Sequence, residues 1–340
     1  MKILILKRDK LGDVLLTTPM IRVLREALPQ AEIHVLANDY NGWVLDGNRD
    51  VNRVWTYGRL RVAGRLSMSS AWRQIRLFFA LRVMHFDWVL VANGEESHRA
   101  IRRAMRAGGR RIVAYCKDPA TYPCVTHPLA PNDVLHETRQ LANVLVPLGI
   151  SVPQALPWPH FKLPVEGDGF ARQWLAERSV PLGGYITLGL GARRAKKQPT
   201  AQQVLTWAKY FFDTWGLATV FIWTPGASDN PLYPGDDEVA QHVLNAKAAW
   251  LHPFRGPIKL ALGLIWHGRT SLFPDSGLMH FAAACPGGVL GFFAETDVSP
   301  PPSRWGPMGP NAHYLEAEKT VAELEDTVVL DAVRRQLGMA

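Results

Sequence analysis

Cysteine is scarce: Cys116, Cys124 and Cys285 are the only three in 340 residues. An odd count with no Cys-x-x-Cys pair excludes a disulfide framework and a thiolate zinc site, and fits a reducing compartment. Long apolar runs are missing too. No stretch approaches the roughly 20 residues that cross a bilayer, and the opening Met1–Lys7 is too short and too interrupted by charge for a secretory leader. The expected place is therefore the cytoplasm. Metal-ligand spacing is equally absent. His127, His136 and His160 are scattered, His280 stands alone, and no Asp-x-Asp or His-x-x-x-His pattern offers a divalent cation its ligands. Neither Gly-x-Gly-x-x-Gly nor Gly-Lys-Ser occurs after a strand, which argues against a nicotinamide oxidoreductase and a P-loop enzyme.

What the chain does have is positive charge. Lys and Arg number 38 against 30 Asp and Glu, a formal net charge of +8. Such an excess implies an anionic partner: nucleic acid, phosphorylated lipid or a membrane surface. Arg99, Arg102, Arg103 and Arg106 recur at helical spacing and share one face. Upstream, Arg59, Arg61, Arg65, Arg73, Arg76 and Arg82 bracket an apolar stretch. A guanidinium face suits the phosphates of a lipid headgroup or glycolipid, or is merely a solvated surface. No helix-turn-helix, zinc or ribonucleoprotein pattern accompanies it, so nucleic acid is not the expected partner.

With 47% hydrophobic and 20% charged residues, the chain is long and apolar enough for two globular domains. Short aliphatic strands alternate with helical periods. Lys2–Lys7, Ile33–Leu36, Val51–Trp55, Phe86–Ala92 and Arg111–Tyr115 read as strands, among helices at Val14–Leu28, Ser70–Met84, His98–Ala107 and Val134–Leu148. Pro153, Pro157, Pro159 and Pro164 then break the rhythm. Strands at Tyr185–Leu190, Thr219–Trp223, Ser271–Phe273 and Gly288–Phe293 follow, with helices at Gly169–Arg178, Ala201–Trp215, Asp237–Asn245, Lys259–Trp266, Met279–Ala284 and Val321–Leu337. This is an α/β chain of two doubly wound, Rossmann-like domains facing across a cleft, spanning 1–155 and 166–340 with a linker at 156–165. The last helix is a candidate to pack back on the first domain. Ligands of such sheets bind where strands end and helices begin.

Four strand-end loops attract notice. Leu272–Ala284 reads as a buried strand, a turn at Asp275-Ser276-Gly277, and a helix carrying His280 one turn in. Ser276 or Asp275 is placed to cap that helix, and an open helix start is also a seat for phosphate. After the first strand comes Arg8-Asp9-Lys10-Leu11-Gly12-Asp13. Asp13 stands at a helix start, where it serves as a cap, or as a general base that must be ionised at neutral pH. In the second half, Gly189–Thr200 offers Gly191, Ala192, Arg193, Lys196 and Lys197 before a helix capped by Thr200. A glycine-lined turn with cations suits a pyrophosphate, though a solvated basic loop has the same composition. Trp223–Asn230 is either a base- or ribose-binding loop or an ordinary turn.

Taken together, these motifs resemble the ADP-heptose:lipopolysaccharide heptosyltransferases and their relatives, glycosyltransferase family 9, over nearly the whole chain. The carriers are Gly12-Asp13-Val14-Leu15-Leu16-Thr17-Thr18-Pro19, His136-Glu137 before a helix ending at Leu148-Gly149, the Gly191–Pro199 loop, Asp275-Ser276-Gly277-x-x-His280, and Trp305-Gly306-Pro307. The resemblance implies a GT-B architecture with an acceptor-binding first domain, a nucleotide-sugar-binding second domain, and inverting transfer without a metal or other cofactor. It assigns Asp13 as catalytic base and Lys196 to the donor phosphates. Gly191, Ala192, Arg193, Asp275, Ser276, Gly277 and His280 complete the donor side. Lys10, Arg99, Arg102, Arg103 and Arg106 are the candidates for an anionic acceptor. The implied co-substrate is ADP-heptose, the acceptor the lipopolysaccharide core, and the location the inner face of the inner membrane. The alternatives are another nucleotide sugar, a protein acceptor, or a non-catalytic protein at a membrane surface. The chain departs from the family at Gln198, where Trp is usual, at Cys285-Pro286-Gly287-Gly288, at Glu295-Thr296-Asp297, and at Asn93-Gly94-Glu95-Glu96.

Overall fold

A computed structural model describes the chain except residues 8–9, 59–60, 63–64, 133, 192–193, 231–234 and 340; the side chains of 61–66 are also outside the description. The chain divides into two compact units, Met1–Lys162 and Leu163–Ala340. The division falls inside the proline-rich segment.

The first unit contains β1 (Lys2–Leu6), β2 (Glu32–Asn38), β3 (Arg53–Tyr57), the short antiparallel pair β4 (Arg61–Val62) and β5 (Arg65–Leu66), then β6 (Trp88–Val91), β7 (Arg111–Tyr115) and β8 (His127–Leu129). Its helices are α1 (Leu11–Leu15), α2 (Thr18–Ala27), α3 (Met68–Val83), α4 (His98–Ala107) and α5 (Glu137–Asn143). Six strands form one parallel sheet in the order β3-β2-β1-β6-β7-β8. Sequential neighbours run outward from β1 in one direction and then, from β6, in the other. That reversal makes the gap between the ends of β1 and β6 a topological switch point, where α/β sheets bind ligands. Ile3, Leu4 and Ile5 are completely buried, as a strand covered on both faces requires. Leu4 and Leu6 join Leu81 of α3 and Ile101 and Ala104 of α4 in one core.

The second unit repeats the plan. Its strands are β9 (Tyr185–Gly189), β10 (Ala218–Ile222), β11 (Leu251–Phe254), β12 (Thr270–Pro274), β13 (Val289–Phe293) and β14 (Ala312–Glu316). The order is β11-β10-β9-β12-β13-β14, all parallel, so the switch point lies between β9 and β12. Around the sheet lie α6 (Val165–Ala176), α7 (Ala201–Trp215), α8 (Asp237–Asn245), α9 (Ile258–His267), α10 (Gly277–Ala283), α11 (Pro302–Trp305) and α12 (Asp326–Gln336). Helices α6 and α9 cross backbone to backbone. A Cβ on Gly263 would lie 1.9 Å from the Gly167 carbonyl oxygen, so neither position admits a side chain without separating the helices. The final helix packs Val329 and Val333 into the second unit's core beside Trp207 and Phe211. The Trp207 indole N–H donates to Asp326 Oδ1 at 2.6 Å.

Three long helices expected from periodicity are shorter or divided. The Val14–Leu28 period splits into α1 and α2 because Pro19 has no N–H to give the Leu15 carbonyl and crowds it. Thr17 and Thr18 hydroxyls donate instead to the carbonyls of Asp13 and Leu15, at 2.8 and 2.7 Å. Pro147 likewise ends the Val134–Leu148 period, leaving α5 and a separate 3₁₀ turn at Val146–Leu148. The closing helix begins at Asp326, after another such turn at Val321–Glu323.

One buried histidine gives the first unit a pH dependence. His34 on β2 is 1% exposed, and its Nδ1 accepts the Trp55 indole N–H at 2.9 Å. That bond requires a lone pair on Nδ1, so the neutral ring carries its proton on Nε2, facing Glu32 Oε1 at 2.8 Å. Burial holds the imidazole pKa below 6.5, outweighing the Glu32 carboxylate, which favours the charged form. An unfolded His34 therefore takes up a proton at a higher pH than the folded one. The stability it contributes is complete above about pH 6.5 and is lost as pH falls through the folded value. His160 and His252, also lowered chiefly by burial, act with the same sign. Thermal midpoints should fall on acidification from pH 7 to 5, and His34→Gln should flatten that decline.

Candidate functional site

In the second unit, β9 ends at Gly189, where a Cβ would strike the Phe273 ring at 2.1 Å; this glycine is demanded by packing within the sheet. Gly191 is different. Among the described residues a Cβ there would meet Thr224 Oγ1 alone, at an ordinary 3.6 Å, and its φ is not positive. None of the described residues requires that glycine, and without a side chain it lets a ligand approach the backbone. Ala192 and Arg193, expected to contribute here, lie outside the described residues.

Next comes one 3₁₀ turn, Ala195–Lys197, which aims two neighbouring lysines differently. Lys196, 57% exposed along its side chain, pairs with Glu295 Oε1 at 2.8 Å. That hydrogen bond raises its pKa, the Glu295 charge adding to it. Lys197 turns inward. Its Nζ lies 2.5 Å from Asp275 Oδ2, with both side chains only 12% exposed. Asp275 follows β12, so this pair spans the β9/β12 switch point and joins two motifs widely separated in sequence. Spacing alone could not say which of two adjacent lysines would do so.

Gln198 also acquires a structural role. It is buried, and its amide donates to Asp236 Oδ1 at 2.5 Å. The other Asp236 oxygen accepts from the Thr224 backbone N–H at 3.0 Å. Burial is the main cause of a raised Asp236 pKa, partly offset by these hydrogen bonds. The lysine turn is thereby tied to the loop after β10. Asp237 braces the same loop, accepting from the Trp223 indole at 2.8 Å and the Gly226 N–H at 2.9 Å. Thr200, expected to cap α7, does so in a reciprocal capping box with Gln203.

At α10 the expected cap is not made. Asp275 is directed to Lys197, and Ser276 accepts no bond from the helix it precedes. The Ser276 hydroxyl is buried and has no hydrogen-bond partner among the described residues. A buried hydroxyl in that state costs roughly 1–3 kcal/mol, which a ligand oxygen would recover. Gly277, the first residue of α10, is exposed. His280 is 6% exposed, its ring centroid 6.5 Å from that of Trp305.

In the first unit, Asp13 sits partly exposed in α1, beyond β1. Its Oδ2 accepts the Lys10 backbone N–H at 2.7 Å, so it does cap the helix. Lys10 itself is exposed. One residue past β1, Lys7 is 2% exposed with its Nζ 3.9 Å from Glu137 Oε1, itself 4% exposed. This buried pair between the end of β1 and the start of α5 was not anticipated: a lone Lys after a strand and a Glu in a distant helix carry no local signal.

The arginines of α4 differ in their surroundings. Arg103 lies over the Tyr57 ring at 4.8 Å and donates to the Arg99 carbonyl at 3.0 Å. Arg106, a turn further, accepts from Arg82 through its carbonyl at 3.0 Å. Arg102 is exposed. A cavity of about 180 Å³, also unforeseen, lies past the ends of β2 and β3, lined by Asp39, Tyr57, Ser70, Arg73 and Gln74 among others. Among the described residues, no group of three or more His, Cys, Asp or Glu is placed to hold a metal ion. Among them too, no helix is long and apolar enough to cross a membrane.

No sequence-family model and no curated protein sequence matches the chain. Solved structures do. A glycosyl transferase family 9 protein from Veillonella parvula superposes with a TM-score of 0.81 at 18% identity, over 99% of this chain and 97% of that one. E. coli ADP-heptose lps heptosyltransferase II gives 0.76 at 19% identity, covering 99% and 98%. E. coli heptosyltransferase WaaC with ADP gives 0.77 at 17% identity, covering 99% and 100%. The chain thus has the GT-B fold of the heptosyltransferase and family 9 structures, two Rossmann-like units with six parallel strands each.

Proposed function

We propose that this chain is a glycosyltransferase that moves a sugar, a heptose in the first instance, from a nucleotide diphosphate donor to a hydroxyl of an anionic glycolipid. ADP-heptose is the donor and the lipopolysaccharide inner core the acceptor, reached from the cytoplasmic face of the inner membrane. The acceptor oxygen attacks the anomeric carbon as the bond from that carbon to the diphosphate breaks. The electron pair leaves with ADP, and the acceptor proton passes to the Asp13 carboxylate. Attack opposite the leaving group inverts the anomeric centre. Lys196 and Lys197, with backbone donors near Gly191 and Gly277, neutralise the charge that grows on the diphosphate, so no metal is needed. Stabilisation of this kind is often the largest catalytic contribution.

One observation carries the donor side. At the switch point of the second sheet, a side-chain-free backbone at Gly191, two lysines and a Ser276 hydroxyl with no partner among the described residues lie on adjoining strand ends. Calorimetric titration with ADP and UDP tests it, followed by mass spectrometry of a core-truncated glycolipid incubated with the donor. ADP should bind in preference to UDP. Lys196→Ala and Lys197→Ala should each weaken ADP by about 1.5–3 kcal/mol, roughly 10- to 100-fold, the worth of a hydrogen bond to a charged group. Unchanged ADP affinity in both variants would remove the proposed site. Retained affinity in one alone would show which lysine meets the phosphates.

A further inference from the structure

Helix α3 presents an apolar stripe to solvent. Met68, Trp72, Ile75, Phe79 and Val83 are each between 57% and 71% exposed. At about 100° per residue they fall within an arc of about 80°. The opposite side of the helix holds the buried Leu81, with Leu77 and Phe78 packed on the core of the first unit. A surface helix normally turns polar residues outward. Single exposed apolar side chains are ordinary, but five in one line along a helix of about 24 Å are not.

The borders of the stripe say what covers it. Exposed Arg73 and Arg76 flank one edge and exposed Arg82 the other. Arg82 donates to the Arg106 carbonyl, which brings the C-terminal end of α4 alongside. Neither helix contains an Asp or Glu. A second copy of the chain docking through this face would bring arginine against arginine with no carboxylate from either helix between them. An anionic bilayer supplies both needs: a hydrocarbon boundary for the stripe, and phosphates for the guanidinium groups on its edges.

We infer that α3 is a membrane-docking helix, lying in the interface plane of an anionic phospholipid bilayer. Trp72, Ile75 and Phe79 enter the acyl boundary while Arg76 and Arg82 bind headgroup phosphates. This goes beyond the transferase reading and does not depend on donor chemistry.

Flotation of the full chain with vesicles tests it. The protein should float with mixed phosphatidylethanolamine and phosphatidylglycerol vesicles and much less with phosphatidylcholine alone. Trp72→Ser/Phe79→Ser should lower partitioning at least about tenfold. Arg76→Ser/Arg82→Ser should also weaken it and reduce its sensitivity to salt. All four side chains are exposed, and unchanged thermal midpoints check that both variants fold. A parent protein that stays in the aqueous layer, or a Trp72→Ser/Phe79→Ser variant that floats as well as the parent, would overturn the inference. So would a parent dimer in sedimentation velocity that becomes monomeric in that variant, which assigns the face to a second copy. Vesicle binding without ADP binding would leave the inference standing and sink the transferase reading; the reverse result would do the opposite.

Discussion

Asp13→Asn should lower turnover by about 10²–10⁴-fold, the usual contribution of a positioned general base, with little change in ADP affinity or thermal midpoint. The substitution suits this site because the proposed base is also a cap. Its Oδ2 already accepts the Lys10 N–H, and an asparagine carbonyl oxygen takes over that bond. What asparagine cannot do is receive the acceptor proton. Asp13→Ala removes both roles and should add the cost of a lost cap, about 0.5–2 kcal/mol. The two variants together separate helix capping from chemistry. Full turnover in Asp13→Asn, measured by product mass spectrometry, would reduce Asp13 to a cap.

The largest effect on stability is expected at Lys7 and Glu137. Both are almost completely buried, with Nζ and Oε1 3.9 Å apart. Breaking a buried ion pair by removing one partner typically costs about 3–5 kcal/mol. At roughly 2–4 °C per kcal/mol for a unit of this size, Glu137→Ala should lower the first unit's melting point by about 6–20 °C. Lys7→Met should do the same. The double variant Lys7→Met/Glu137→Leu takes away both charges at similar volume and should regain most of the loss. Calorimetric melting of the three variants decides it. A double variant no better than either single one would mean that the ion pair is not what these residues contribute.

The alternation of compact aliphatic strands with helical periods was enough to read two doubly wound sheets, because parallel strands buried on both faces appear as short continuous apolar runs. In the two six-stranded sheets, the strands without such a run, β8, β11 and β14, are edge strands. β8 and β11 contain Pro128 and Pro253 and pair on one side only, so they carry neither the length nor the apolar density of β1 or β13. Helix limits slipped where Pro19 and Pro147 interrupt a period that the apolar residues alone continue.

At the candidate site, glycines and cations after strands were legible because the needs of a phosphate are local. The partnerships were not. Lys197 with Asp275, Gln198 with Asp236, and Lys7 with Glu137 each join segments far apart in sequence, and only the strand order brings them together. Nor does an apolar period say which side of a helix meets the core. Trp72 and Phe79 have the spacing of core residues and lie on the opposite surface.

The two sheets share one strand order, and each has its opening strand at the middle. Asp13 follows the middle strand of the first, and Lys196 and Lys197 follow that of the second. The chain is thus modular: each half repeats a single blueprint, and in the proposed transferase the acceptor's base leaves one centre and the donor's lysines leave the other. On that proposal, natural variation retunes recipient choice in one half and nucleotide choice in the other.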